Sequence, residues 1–587
     1  MSGVQSEGKG KGVHVRQERE RALAADRRRV LSLPPEQALD AVLTHPYPVT
    51  LVQSMAEEDL YLLVHAIGPD DALPVLGLAS NDQWEYVLDM EVWHRDRVHP
   101  HQLTEWLSRL LRADGDRFTH WVTGPQQNLL AYYFFRNIEL HVREYEEDPA
   151  EVGDGFSSED DVHYVRMRPY PDSNPQAQAM RDQFLGDLLR RLSVYDYPLY
   201  RGLLLTSAGV LGPETEEELL RLRNVRLAEK GFLPFEEAVG VYQPLRVADL
   251  LRRGRKPDMG GGRPVASYPI PDAATGTPAG AGRFAAILAR IQDELLLQRL
   301  QTEFAALCNQ VIVADLQQVR EREALARVVE KVAGYIGIGL ELAEAAGDGS
   351  DPYGAANLLK SHFLADLFRV GYGRALALKW RADRWRRESW FEANGWPLAF
   401  WGESWLGVLG GLLIKKPLFH DNYATGVLYR EFATMADIAV TEMVLDRIMA
   451  VDRLLVDMAV GPPPRPIEGL ITYQNLLLTA WAHHQLGTNE GTLVTVAPLP
   501  LDLFRLFFDG LWPTTGQPRR IGPQQRQDLL DWLSAAGGWP TARIAEEVGP
   551  VVDGLFGRVE EELATVAAKD IDPRFVQPLF LVAADHS

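Results

Sequence analysis

The sequence predicts a mainly α protein: an N-terminal superhelix of short helices with a small β-hairpin insertion, then a C-terminal helical bundle. Three observations carry that expectation. Between Ser54 and Trp93, apolar residues recur at three-to-four spacing in three successive runs, which is the period of one helical face. A stretch of glycine, proline, alanine and small polar residues, GRKPDMGGGRPVASYPIPDAATGTPAGAG, interrupts the chain and cannot bury enough surface to offset its ordering entropy. Beyond it, residues 284–333 contain neither glycine nor proline. The layout expected is a disordered tail over 1–30, a superhelical region over 31–253 with an acidic loop and hairpin near 144–170, a flexible linker over 254–283, and an all-helical domain over 284–587.

Taken in order, the opening MSGVQSEGKGKGVHVRQERERALAADRRR has no apolar segment and predicts no secretory signal. Pro34-Pro35-Glu36 opens a helix toward Leu43, and His45-Pro46-Tyr47-Pro48 interrupts it. Ser54 with Glu57, and Ser80 with Gln83, form two capping boxes, while Gly68-Pro69 places proline at a first helical position. Helix starts are therefore expected at 54, 68 and 80. Leu60, Leu63 and Val64, then Leu73, Leu76 and Leu78, then Trp84, Val87 and Leu88 supply the apolar stripes. Helices this short are unstable alone, so each must bury its stripe on its neighbours, the logic of a solenoid. The acidic residues that begin these helices, Glu57, Glu58, Asp70, Asp71 and Asp82, suit the positive end of a helix dipole.

The rhythm continues with a helix from Pro100 through Leu111, an end to that region at Gly115, and a helix from Gly124-Pro125 through Val142. Glu144 to Asp161 is acidic without a lysine or arginine, and Val162 to Met167 alternates as a strand does, so an acidic loop should lead into a hairpin. Helices return from Asn174, and one over Pro213–Gly231 should pair Glu217 with Arg221 and end at Gly231. In the second half, Phe284 to Val311 keeps a helical period as one long helix or two with little loop between them. Further helices are expected over Thr425–Val460, stopped by Gly461-Pro462, and over Ile467–Leu486, Leu501–Phe508 and Pro523–Ser534.

The runs AIGPDDALPVLGLAS and DQWEYVLDMEVW, with RLRNVRLAEKGF and LFRVGYGRALALKWRA further along, resemble an uncharacterised bacterial family, a domain of unknown function. The resemblance covers most of the chain from Leu31 onward and implies no activity or catalytic residue. The repeated short helices over Ser54–Met90 are also similar, in spacing and caps, to the intracellular N-terminal domain of MgtE-type magnesium transporters.

Hydrophobic residues at 46% and charged residues at 24% are globular values, and a net charge of -21 disfavours broad nucleic-acid binding. Cys308 is the single cysteine, which excludes an intrachain disulfide or cysteine-based metal site and fits a reducing cytoplasm. The most apolar stretch, Trp396 to Ile414, contains Glu403 and several glycines and predicts a buried helix pair rather than a membrane span. Nucleotide loops, HExxH, GxSxG and kinase signatures are absent, and Gly334-Tyr335-Ile336-Gly337-Ile338-Gly339 lacks dinucleotide spacing. The reading therefore leans away from an enzyme, and no cofactor or metal is expected.

One composition stands out. In YGRALALKWRADRWRRESW, the residues Arg381, Arg384, Arg386 and Arg387 are interleaved with Trp380 and Trp385, a pairing of guanidinium and indole suited to anionic ligands. The alternative is a core helix whose tryptophans are buried and whose arginines meet the acidic surface; Trp380 and Trp385 stand about 140° apart on a helix, so one stacking face is not implied. His94, His99, His101 and Asp96, the pair His483-His484, and the acids Glu341, Glu344, Asp348 and Asp351 are weaker metal candidates than surface groups. His362, Asp366, Glu388 and His420 are the polar residues an unfamiliar enzyme would use. The function expected is a cytoplasmic helical scaffold that binds a protein partner, with anionic-ligand or nucleic-acid binding through the Arg/Trp helix as the alternative, and an enzyme of unfamiliar type in the C-terminal domain as a third.

Overall fold

Short helices open the first half, but Glu57–Ile67 and Gln127–Asn137 are buried over consecutive residues, 58–64 and 129–134, and so all round rather than on the single face that their apolar spacing predicts. The computed structural model describes residues 20–148, 151–170, 174–253, 282–346, 354–460, 471–488, 497–513 and 519–582. The chain is mainly α with small strand pairs, and it divides into two units, Met1–Arg369 and Val370–Ser587, the division falling inside the helix Leu364–Glu388. The expected linker lies outside the described residues over 254–281, as does the expected tail over 1–19; residues 20–32 are helical, with Val30 and Leu31 buried.

In the first unit, alternate helices pack on one another. Pro35–Leu43 meets Glu57–Ile67, which meets Asn81–Glu91; Pro48–Gln53 meets Leu73–Leu78, which meets Pro100–Ala113. The capping box at Ser80 is present, with Gln83 N donating to Ser80 Oγ (3.2 Å) and Ser80 N donating to Gln83 Oε1 (2.8 Å). The amide of Gln83 also donates to the carbonyls of Val52 (2.9 Å) and Met55 (3.0 Å), so the cap holds the preceding helix as well. The box expected at Ser54 does not form. Pro48 starts a separate helix that ends at Ser54, and the next one begins at Glu57 without a side-chain cap. Gly68, with φ +103°, terminates that helix, and the middle helix starts at Leu73 rather than at Pro69.

Gly115 begins a helix instead of ending a region, because Asp114 caps it by accepting from Arg117 N (3.1 Å). The helix expected through Val142 stops at Asn137, and Ile138–Val142 is a strand. It pairs antiparallel with His163–Met167, which pairs in turn with Phe156–Ser158, giving a three-stranded sheet where a hairpin was expected. The acidic loop shapes this sheet. Asp160 accepts from the backbone of Val162 (3.0 Å) and His163 (2.7 Å), and Glu147 accepts from His141 Nε2 (2.9 Å). The run after 284 is broken into Arg283–Leu288, Glu294–Ala314 and Arg322–Ala346, because Asp293 caps the second helix by accepting from Leu295 N and Leu296 N (3.1 Å each).

In the second unit, the helix Met435–Asp457 is the axis on which Trp390–Ala393, Gly402–Leu412, Pro523–Gly537 and Thr541–Glu547 pack. It starts later than Thr425, at a capping box of Thr434 and Asp437, because Tyr429–Arg430 is drawn into a ribbon with Phe419–His420. The ribbon lies against the glycine face of Gly402–Leu412: Leu418 N donates to Gly411 O (2.8 Å), Tyr429 Oη donates to Gly407 O (3.0 Å), and a Cβ on Gly411 would occupy the place of the Leu418 carbonyl. Arg430 holds Asp421 within the ribbon (2.7 Å) and fixes the ribbon to the axis through Asp437 (2.9 Å). Among the described residues no helix is long and apolar enough to cross a membrane.

Because the atom opposing a Gly411 side chain is backbone, Gly411→Ala should destabilise the chain by about 1–3 kcal/mol in urea unfolding. Gly554, with nothing within 4 Å of its missing Cβ, is the control; equal behaviour of the two alanine variants would contradict this packing.

Candidate functional site

The helix Leu364–Glu388 separates the Arg/Trp candidates into engaged and free groups. Trp385 is buried; its Nε1 donates to Asp452 (3.2 Å), and its ring stacks on Phe391 with centroids 5.3 Å apart. Asp452 also accepts from the backbone of Trp390 and Phe391 (3.3 Å each), so this tryptophan belongs to the frame. Arg381 is paired with Asp446 and lies 3.7 Å from Glu442, which also holds Arg374 at 2.5 Å. Arg386 is paired with Glu392 (3.0 Å), and Lys379 with Asp383 (2.7 Å). Trp380, by contrast, is 48% exposed, and Arg384 and Arg387 are exposed with no hydrogen-bond or ion-pair partner among the described residues. Positions 380, 384 and 387 share one helical face, and with Asp383, Arg386 and Glu392 they line a shallow groove of about 840 Å³.

The other candidates have separate surroundings within their own units. His362 and Asp366 belong to the first unit, where Asp366 is held by Arg253 (2.7 Å) and Arg369 (3.4 Å); Glu388 and His420 belong to the second. Glu388 is exposed, whereas His420 is half-buried against Tyr429, where burial lowers its pKa from the usual imidazole value. His99 accepts from Gln102 N (3.4 Å) as a helix cap, and His101 faces Glu105 at 3.4 Å. His483 is bonded to Thr488 and to the Ala497 carbonyl, and His484 stacks on Trp532. Glu344 pairs with Arg283, while Asp348 and Asp351 lie outside the described residues.

A second polar assembly, absent from the sequence-based candidates, occupies the interior of the first unit. Glu91, 2% exposed, accepts from Tyr61 Oη (2.6 Å), Trp106 Nε1 (3.2 Å) and both arms of Arg320 (3.0 and 2.7 Å). His65 Nε2 lies 3.1 Å from the same carboxylate, off the line of a hydrogen bond. Burial alone would raise the Glu91 pKa, but His65, Arg320 and Tyr61 together hold it down at about 2. Nearby, Glu58 is 6% exposed, and neither of its oxygens has a hydrogen-bond partner. Burial pushes its carboxyl up to about 7, against the pull first of its own backbone N–H, which falls outside hydrogen-bond geometry, and then of Lys230, whose ammonium is taken by Glu57 at 2.7 Å. The signal available in the sequence was the acidic first turn, EED, which looks the same whether its carboxylates face solvent or core.

The chain belongs to the family of unknown function DUF6178, whose family model matches residues 16–582. No curated protein and no solved structure matches the chain. The likeness of the short helices over 54–90 to the magnesium-transporter domain thus gains no support, and among the described residues no three histidine, cysteine, aspartate or glutamate side chains form a metal-binding group.

The unpartnered Glu58 makes stability depend on pH with a definite sign. Its folded pKa of about 7 lies above the ordinary value of 4.5, so its contribution is complete below the unfolded value and is lost as pH rises through the folded one. Relative to Glu58→Gln, the wild-type chain should lose up to about 3 kcal/mol of unfolding free energy between about pH 4.5 and about pH 8. Urea titrations of both proteins across that range test this, and a constant difference would show that Glu58 carries no perturbed proton.

Proposed function

We propose that this chain is a cytoplasmic helical scaffold that works by protein–protein contact, with the outward face of the helix Leu364–Glu388 as one contact surface. The observation that carries the proposal is Trp380, 48% exposed on a helix whose other face is packed and paired. A tryptophan beside arginines is the composition that dominates the energetics of protein interfaces. Most other polar groups singled out are spent on caps, ion pairs and ring contacts, which is how a frame uses them. Anionic-ligand or nucleic-acid binding is the second reading, favoured by the free guanidinium groups of Arg384 and Arg387. The carboxylates of Asp383 and Glu392 in the same groove, and a net charge of -21, weigh against a polyanion.

A photo-crosslinking residue placed at Ala377, half-buried one turn before Trp380, tests the proposal in growing cells, with the exposed Val225 of the first unit as control site. A recurrent protein adduct specific to position 377 is the expected result. Adducts no different from those at the control, or adducts to nucleic acid, would overturn it.

A further inference from the structure

The groove on the Leu364–Glu388 helix has a charge pattern specific enough to name its ligand. Lys379 neutralises Asp383 and Arg386 neutralises Glu392, so the uncompensated positive charge is that of Arg384 and Arg387. Both sit one and two turns beyond the exposed indole of Trp380, on the same face. A free guanidinium presents a planar fork that matches a carboxylate with two parallel hydrogen bonds, and the indole offers an apolar surface beside it.

Polyanions fit poorly. A nucleic-acid surface needs a continuous basic track, and here the two free arginines are bracketed by the fixed carboxylates of Asp383 and Glu392. A membrane surface needs a broad apolar face beneath its basic residues, whereas the groove offers Trp380 with only charged neighbours. The chain's charge of -21 repels a large anion as a whole, while a short stretch with a few carboxylates feels mainly the local field within a Debye length.

We infer that the groove over Trp380, Arg384 and Arg387 docks an acidic segment of a partner protein, with carboxylates on the two arginines and an apolar side chain against the indole. The inference rests on the protein-contact reading and specifies its ligand chemistry. The test is fluorescence anisotropy on the purified full-length chain with a short labelled peptide of glutamates interleaved with leucine and phenylalanine. Its glutamine counterpart, single-stranded DNA, phosphatidylcholine–phosphatidylserine vesicles and inorganic phosphate are the comparison probes.

The acidic peptide should bind at least about tenfold more tightly than the glutamine peptide. Arg384→Glu with Arg387→Glu should weaken it by at least about 30-fold, and Trp380→Ala by about tenfold, with circular dichroism and melting unchanged because all three side chains are exposed. A lysine-for-glutamate peptide should recover binding to the double glutamate variant. DNA or vesicles binding as tightly, with the same dependence on Arg384 and Arg387, would overturn the inference in favour of another anion class; so would an acidic peptide that binds no better than its glutamine form. In the latter case, a protein adduct at position 377 would still support the contact surface, while loss of both results would remove the scaffold reading as well.

Discussion

The carboxylate of Glu91 is the constraint on which the first unit turns. It sits inside the protein, where an unsatisfied charge is not tolerated, and it accepts hydrogen bonds from side chains in three other parts of the chain: Tyr61 from one helix, Trp106 from another, and Arg320 from a segment 229 residues away in sequence, with His65 close by. Removing one partner of such a pair leaves a buried charge exposed to a low dielectric, a loss of about 3–5 kcal/mol, whereas replacing the whole assembly with apolar groups of the same shape need not cost anything. The arrangement is therefore better understood as specifying which elements meet than as a source of net stability. Short helices with interchangeable leucine stripes have many near-equivalent packings, and a buried carboxylate that accepts from Tyr61, Trp106 and Arg320 in one geometry removes most of them.

That constraint also explains where the chain after the glycine-rich stretch goes. A run of glycine and proline predicts a break in regular structure, because its cause is local: too little apolar surface per residue. It says nothing about which core receives the helices that follow. Arg320 returns to Glu91, Asn309 donates to the Lys230 carbonyl (2.8 Å), and Arg369 donates to the Gln243 carbonyl (2.8 Å), so residues 282–369 share the first unit with the helices before 254.

The sequence disclosed what depends on neighbours in the chain and concealed what depends on distant ones. The box at Ser80 was legible because its two hydrogen bonds join residues three apart. The same pattern at Ser54 misled, since Pro48 had already nucleated a helix that ends there. Ile138–Val142 read as the tail of a helix because its strand partner, His163–Met167, lies beyond the acidic loop. The acidic residues at helix starts were attributed to the dipole, yet Asp70 is gripped by Arg109 (3.0 Å) and Arg112 (2.6 Å), Glu57 by Lys230, and Glu58 is buried. A first-turn carboxylate satisfies the dipole and can still be claimed by a cation on another helix; only the second interaction fixes the packing.

The Arg/Trp helix shows the same division within a single element. Composition identifies a cluster of guanidinium and indole groups, but the helical period splits it by direction. Positions 381 and 385 turn toward Asp446 and Asp452 on the axial helix, and positions 380, 384 and 387 turn outward. The inward members are held because a buried indole N–H and a half-buried guanidinium need acceptors, and the axial helix supplies them. Other exposed arginines, among them Arg246, Arg290 and Arg327, also lack a side-chain partner among the described residues, so what marks this face is that two such arginines adjoin an exposed tryptophan. Water alone solvates the outward pair, at no cost to the fold, and the proposed contact rests on their placement beside an exposed indole on one helical face.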